Sequence, residues 1–341
     1  MKAVLFPSPG QVEIVENDIP EVTSGEVLVK INYIGICGTD LSTFRGANPL
    51  VQYPVIPGHE ISAEVVAKGD QVPEYIKKGM LVTANPYTNC GQCPSCKRRR
   101  YNACQYNETM GVQRNGAMQQ YLALPWQKLL MNEQLSREQL ALVEPLSVGF
   151  HAVQRGGVTD IDTVLVIGCG MIGAGAIIRA SLRGARVIAV DLDDHKLTIA
   201  RKLGAQYTVN AGKDELHDAL QKITAAQGPD VVIEAVGSPA TYVTAIEEVA
   251  FTGRVVYIGY SKNEVAFTTK LFVQKELDIR GSRNALPEDF RAVMNYMETG
   301  KLPLEDLITQ KLKPEEVRGA MQQWSDKPEA VFKLFVDFSA D

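Results

Sequence analysis

Four cysteines, Cys90, Cys93, Cys96 and Cys104, fall within fifteen residues, while Cys37 and Cys169 stand apart. In a reducing compartment such a cluster binds metal more readily than it forms disulfides. Four thiolates in one loop close a tetrahedral site with no open position, the pattern of a structural zinc. Iron–sulfur ligation is the rival, since closely spaced cysteines also occur in ferredoxin-like loops. A short lobe on a β-rich domain, however, needs a staple more than a redox centre. The basic run Lys97-Arg98-Arg99-Arg100 inside the loop lacks a histidine pair and a recognition helix. A solvated loop is therefore expected, not a nucleic-acid finger.

A second pattern, Gly168-x-Gly170-x-x-Gly173, says little alone because glycine is common at tight turns. Here it follows the apolar run TVLVI, opens a helical pattern at Met171 and Ile172, and precedes Asp191 at the end of ARVIAVD. That context is the dinucleotide fingerprint. The glycines let the backbone approach a pyrophosphate, and the helix N-terminus offers amide donors. Asp191 would accept hydrogen bonds from ribose hydroxyls and repel a 2′-phosphate, so NAD is expected in preference to NADP.

A third set is dispersed: Cys37 in GICGTD, His59 and Glu60 in PGHE, and Glu144 in LVEPLS. A thiolate, an imidazole and a carboxylate can hold zinc and leave one position for water or substrate. Spacing alone does not bring these groups together. Taken singly, a small buried cysteine, a satisfied histidine and exposed carboxylates are the plainer readings.

The elements that would position these residues come in two textures. EVLVKINYIGI, ISAEVVAKG and MLVTANP, all before residue 150, are short β-branched runs bounded by glycine and proline. They predict a small barrel or sandwich with long loops. From about Asp162, strand and helix patterns alternate through DVVIEAVG, RVVYIGY and ELDIRGSRN, which predicts a doubly wound parallel sheet. The tail from about Leu286 holds amphipathic helices and a last apolar strand, AVFKLFVDF. It is too short to fold alone and is expected to pack back on the first domain. The α/β chain thus divides into residues 1–150 with 285–341, and 151–284.

Thirty-five basic and forty acidic residues give a net charge of −5 over 341 residues, which offers no general attraction to nucleic acid or anionic membrane. The longest uncharged apolar stretch, Thr163 to Ile178, is short for a membrane span and is punctuated by glycines. The start, MKAVLFPSPG, carries prolines where a signal peptide needs an unbroken apolar core. A cytoplasmic enzyme acting on a small molecule is expected, with no nucleic acid or membrane partner.

Taken together, GICGTD, GHE, the four-cysteine lobe, VEPLSVGFHAV and GCGMIG stand in the order found in zinc-dependent medium-chain alcohol and polyol dehydrogenases. The chain resembles that family over essentially its whole length, and most of all its sorbitol and threonine dehydrogenase branch. RGANPLVQYP and GSRNALPEDF resemble segments of bacterial hexonate dehydrogenases of the L-galactonate or L-gulonate type.

The resemblance implies a GroES-like catalytic domain, a Rossmann domain binding NAD, and two zinc ions per subunit, one catalytic and one structural. It places Cys37 and His59 among the catalytic zinc ligands. Glu60 matches a carboxylate that ligates the metal or exchanges with water, and Glu144 one that binds directly or through water. Thr39 matches the hydroxyl residue that contacts the substrate oxygen and starts a proton relay. Ser42 stands where many relatives carry a relay histidine, so the outer relay is expected to differ or to run through water. Gly116-Ala117-Met118 replaces a frequent Gly-Gly-Phe, with a reshaped substrate pocket as the expected consequence.

The implied reaction oxidises a secondary hydroxyl of a sugar acid, the proton leaving through Thr39 and the hydride going to NAD. A hexonate carboxylate needs a cation, for which Arg45, Arg114 and Arg283 are candidates. Sorbitol-like polyols, polyol phosphates, butanediol and L-threonine are the alternatives within the class. A non-catalytic NAD-binding zinc sensor is the alternative outside it, although such a chain would be free to lose Cys37, His59, Glu60 and Glu144. The family also implies a homodimer or homotetramer, and RVVYIGYSKNEVAF offers an apolar strand for pairing across a two-fold axis.

Overall fold

The computed structural model describes residues 1–339; Ala340 and Asp341, which end the range 285–341, lie outside the described residues. The first unit comprises Met1–Glu144 together with the chain from Leu286 onward, and the second comprises Pro145–Ala285.

Short β-branched runs separated by glycine and proline make the first unit an antiparallel assembly. Strands β1 (Lys2–Leu5) and β2 (Glu13–Glu16) form a separate ribbon. The main sheet is built on β3 (Glu26–Ile36), which pairs with β4 (Glu60–Lys68) and with β6 (Tyr121–Pro125). Beyond β4 come β5 (Leu81–Ala84) and β7 (Leu129–Met131). Helix α1 (Gly38–Phe44) follows β3 directly, and α2 (Pro94–Lys97) lies in the cysteine loop. Ala117 and Met118 are fully buried in the core of this unit.

Helix α3 (Arg137–Gly156) passes from the first unit to the second at Pro145, an interior proline that lacks the backbone donor of a regular turn. The second unit contains β8 (Thr163–Ile167), α4 (Met171–Leu182), β9 (Arg186–Asp191), β10 (Tyr207–Asn210), β11 (Val231–Glu234), β12 (Arg254–Tyr257) and β13 (Asp278–Gly281). They form one parallel sheet in the order β10-β9-β8-β11-β12-β13. Every residue of β8 and of β11 is buried, as strands covered on both faces require. The run RVVYIGYSKNEVAF does not supply the free strand expected of it. Its strand β12 is bonded on both sides, and the edges of the sheet belong to β10 and β13.

The tail returns to the first unit. Its β14 (Gln310–Leu312) pairs with β15 (Leu334–Asp337), and β15 pairs antiparallel with β3. The full sheet order is β14-β15-β3-β4-β5-β7, with β6 also on β3.

Glycines set the tightest packing of the second unit. A Cβ on Gly149 of α3 would lie 2.2 Å from the Ile172 carbonyl, and one on Gly175 of α4 would lie 2.3 Å from the Leu146 carbonyl. These helices therefore meet backbone to backbone. A Cβ on Gly173 would lie 1.8 Å from the Gly168 carbonyl, closing the gap between the turn and α4. Gly173→Ala is expected to cost at least about 2 kcal/mol through forced overpacking and to weaken NADH binding. Thermal unfolding and NADH fluorescence titration check both, and a variant with the parent's melting temperature and affinity would refute the packing argument.

Candidate active site

The register of β3 and β4 assembles the site. Gly35 is paired with Glu60, so Cys37 just beyond β3 and His59 just before β4 emerge at the same end of the sheet. Their Sγ and Nε2 atoms are 3.2 Å apart. Gly35 has no side chain to crowd this corner: a Cβ there would lie 1.9 Å from Glu60 Oε2. Cys37 caps α1, its sulfur accepting from Thr39 N at 3.1 Å while Asp40 Oδ2 accepts from Cys37 N at 2.9 Å. One ligand atom each from Cys37, His59 and Glu60 lies within 4.8 Å of the others.

Charges surround this group. Lys333, 2% exposed, donates to both Glu60 oxygens at 2.7 Å and to the Ile36 carbonyl at 3.1 Å. Asp40 is fully buried, and its Oδ1 faces His59 Nδ1 at 4.0 Å. Burial lowers the His59 pKa, but Cys37, Asp40 and Glu144 outweigh it and hold the imidazole well above its ordinary value. Glu144 stands outside the three-donor group and accepts a hydrogen bond from the Tyr87 hydroxyl. Burial first, with Glu60 adding to it, raises the Glu144 carboxyl; burial and Glu144 raise the Tyr87 phenol well above its usual range. Thr39 and Ser42 both lie half-buried on α1.

The second motif also takes the expected form. Gly168 adopts φ +93°, a left-handed conformation that suits glycine. Gly170 is the N-cap of α4, and no side chain caps that helix. A Cβ at Gly170 would meet nothing within 4 Å, so the first-turn amides around Met171 and Ile172 face room for an anion. Asp191 at the end of β9 is held by three backbone donors: Cys169 N at 2.7 Å, Leu192 N at 2.8 Å and Asp193 N at 3.1 Å.

The four loop cysteines converge within 4.8 Å. Backbone amides already point at their sulfurs, Cys90 N to Cys104 and Cys93 N to Cys90, both at 3.3 Å. The Ser95 hydroxyl, then backbone amides, draw the Cys93 thiol down to about 5, while burial pushes Cys96 up to about 11. Lys97, Arg98, Arg99 and Arg100 are all exposed, as a solvated loop requires.

Residues 23–133 match the alcohol dehydrogenase GroES-like domain, and residues 172–299 match the zinc-binding dehydrogenase family. A zinc-type alcohol dehydrogenase-like protein of Haemophilus influenzae is 34% identical, covering 98% of both chains. The L-galactonate-5-dehydrogenase of Escherichia coli is 32% identical, covering 91% of both. A crystal structure of an Escherichia coli alcohol dehydrogenase complexed with NADH superposes with a TM-score of 0.91 at 28% identity, covering 99% of both chains. The chain belongs to the zinc-type medium-chain alcohol dehydrogenase family. Its two units are accordingly a GroES-like domain and a Rossmann domain.

The donors of this dehydrogenase fit zinc at both places. The quartet offers four sulfurs and nothing else, as a closed structural site does. At the other site a soft thiolate, an imidazole nitrogen and a carboxylate converge, and the two polar atoms behind the histidine, His59 Nδ1 and Asp40 Oδ1, are buried without a hydrogen-bond partner. A metal-ligating histidine turns its second nitrogen to such a carboxylate.

Asp40, Tyr87, Lys333 and Gly35 escaped the sequence reading. Asp40 had a local signal, since it stands three residues after Cys37 at capping-box spacing. Lys333 had a faint one, a cation in an apolar strand run. Tyr87 and Gly35 had none. Of the three arginines, Arg45 is engaged by Ser325, its Nε donating to the hydroxyl at 2.8 Å. Arg114 is half-buried with Nε lacking a hydrogen-bond partner, and Arg283 belongs to the Rossmann unit.

Metal entry must displace the proton that His59, held above its ordinary pKa, retains. Zinc affinity at this site is therefore expected to rise with pH through neutrality, by up to about tenfold per pH unit for each proton displaced. Competition with a chelating dye measures this, and an affinity flat between pH 6 and 8 would contradict it.

Proposed function

We propose that this enzyme oxidises a secondary hydroxyl of a sugar acid, an L-galactonate or L-gulonate type hexonate, to the keto-hexonate with NAD as acceptor. The convergence of Cys37, His59 and Glu60 carries the reading, because a three-donor site with an open position is the catalytic form of a zinc centre. When bound, zinc supplies Lewis-acid polarisation of the substrate oxygen and NAD the hydride acceptor. The chain's residues do the rest. Thr39, two residues after Cys37, receives the hydroxyl proton and passes it outward past Ser42, which being no imidazole requires water to continue the relay. Asp191, preset by three amides, binds the adenosine ribose, and the uncapped start of α4 binds the pyrophosphate.

The hexonate choice draws on the L-galactonate-5-dehydrogenase, similar over nearly the whole chain. A carboxylate at the far end of the substrate needs a cation, and Arg114, half-buried with a partnerless Nε and a single long bond from Nη2 to the Pro86 carbonyl at 3.4 Å, is better suited than Arg45, which Ser325 engages. Copies of the chain are expected to associate along β13, one of the two edges of the Rossmann sheet, where Ile279 is exposed.

Initial rates of NADH formation with hexonates, pentonates, hexitols, polyol phosphates, butanediol and threonine, before and after zinc removal, test the substrate class. Zinc-dependent turnover confined to an acid sugar is expected. Turnover of neutral polyols alone would transfer the enzyme to the sorbitol type, and NADH binding without any turnover would favour a sensor. Replacing Arg45, Arg114 and Arg283 together by Met is expected to raise KM for the acid at least about tenfold, the loss of one charge-assisted pair; an unchanged KM would refute a guanidinium contact.

A further inference from the structure

Besides Asp40, two buried glutamates lie by the Cys37–His59 pair, and a different residue holds each. Glu60 lies within the three-donor group, gripped through both oxygens by Lys333. Glu144 lies outside that group, with the Tyr87 hydroxyl donating to its Oε1. Tyr87 has little freedom to let go. It is 4% exposed, and its ring meets Phe290 edge-on at 6.3 Å. Its own amide donates to Asn85 Oδ1 at 3.0 Å, and its carbonyl accepts from Lys128 Nζ at 2.6 Å.

The Cys37 thiolate and the Glu60 carboxylate already give a dication two anionic donors beside the His59 nitrogen. A second carboxylate drawn onto it would fill the position that substrate needs. We infer that Tyr87 is a positioning residue whose hydroxyl holds Glu144 back from the metal donors, so that Glu60 completes the set and one position stays open. This rests on the reading of Cys37, His59 and Glu60 as a zinc centre, and it does not depend on which alcohol is oxidised.

The test uses the full chain with cobalt(II) at the Cys37 site and zinc retained in the cysteine quartet, a Cys37→Ser control marking the bands that belong to the site. Tyr87→Phe removes one oxygen atom and keeps the packing against Phe290. It is expected to shift the cobalt d–d bands and to slow metal loss to a chelator by about tenfold, the usual reach of a residue behind the ligands. Substrate KM should rise as Glu144 competes for the open position. Tyr87→Phe combined with Glu144→Gln, which keeps the shape and removes the charge, should restore the parent bands and rate of loss. Parent-like bands and metal loss in Tyr87→Phe would overturn the inference, as would a shift that Glu144→Gln fails to reverse. Absence of any Cys37-dependent cobalt band in the parent would overturn the zinc reading as well, which separates the two failures.

Discussion

The pairing of Gly35 with Glu60 across β3 and β4 decides where every donor of the active site stands. It is a backbone register, and moving it by one residue would turn Glu60 to the other face of the sheet. Because it holds, Cys37 and His59, twenty-two positions apart, come within 3.2 Å. The corner admits this arrangement only because residue 35 has no Cβ. The same pairing network brings in Lys333, since β15 lies on β3 with Leu334 opposite Ile36. Sheet register, the absence of a side chain and one buried ion pair are thus parts of a single constraint.

That constraint has an energetic character. Asp40, Glu60 and Glu144 are buried acidic groups within one corner of the first unit, and Lys333 is the buried cation against them. Desolvating such groups is costly, and an ion pair with two good hydrogen bonds does little more than offset its own share. Cys37 first, then Asp40 and Glu144, raise the His59 pKa against the effect of burial. A dication meets a corner already shaped and charged to receive it, so the cost of gathering the donors falls on folding and is not charged again to metal binding.

What the sequence disclosed follows from how local each signal is. The glycine fingerprint was legible because turn, helix start and acidic residue lie within one strand–helix–strand unit, and β3 was legible because its apolar run is bounded by Gly25 and by Cys37. Asp40 was legible in principle from capping-box spacing. Lys333 was not, because it reaches Ile36 from 297 positions away through a strand pairing that no periodicity encodes. Tyr87 and Glu144 are 57 positions apart and meet only once α3 has packed. Sheet order is hidden for the same reason: β12 (RVVY) and β13 (DIRG) are short strands of one alternating strand–helix pattern, and only the assembled sheet shows which strands each one pairs with.

The two units solve opposite packing problems. In the Rossmann unit, glycine lets α3, α4 and the turn at Gly168 approach until backbones touch, so the pyrophosphate part of its nucleotide site is built from main-chain amides whose positions are set by the fold itself. The first unit instead presents its chemistry through side chains, and each of these is held by another: Cys37 by its cap, Glu60 by Lys333, Glu144 by Tyr87. A main-chain site tolerates exchange of most side chains nearby, whereas a site of mutually restrained side chains is tuned by any of them. The nucleotide half of the reaction is therefore determined by the glycines, and variation in substrate and metal behaviour has its natural place in the residues that hold the donors.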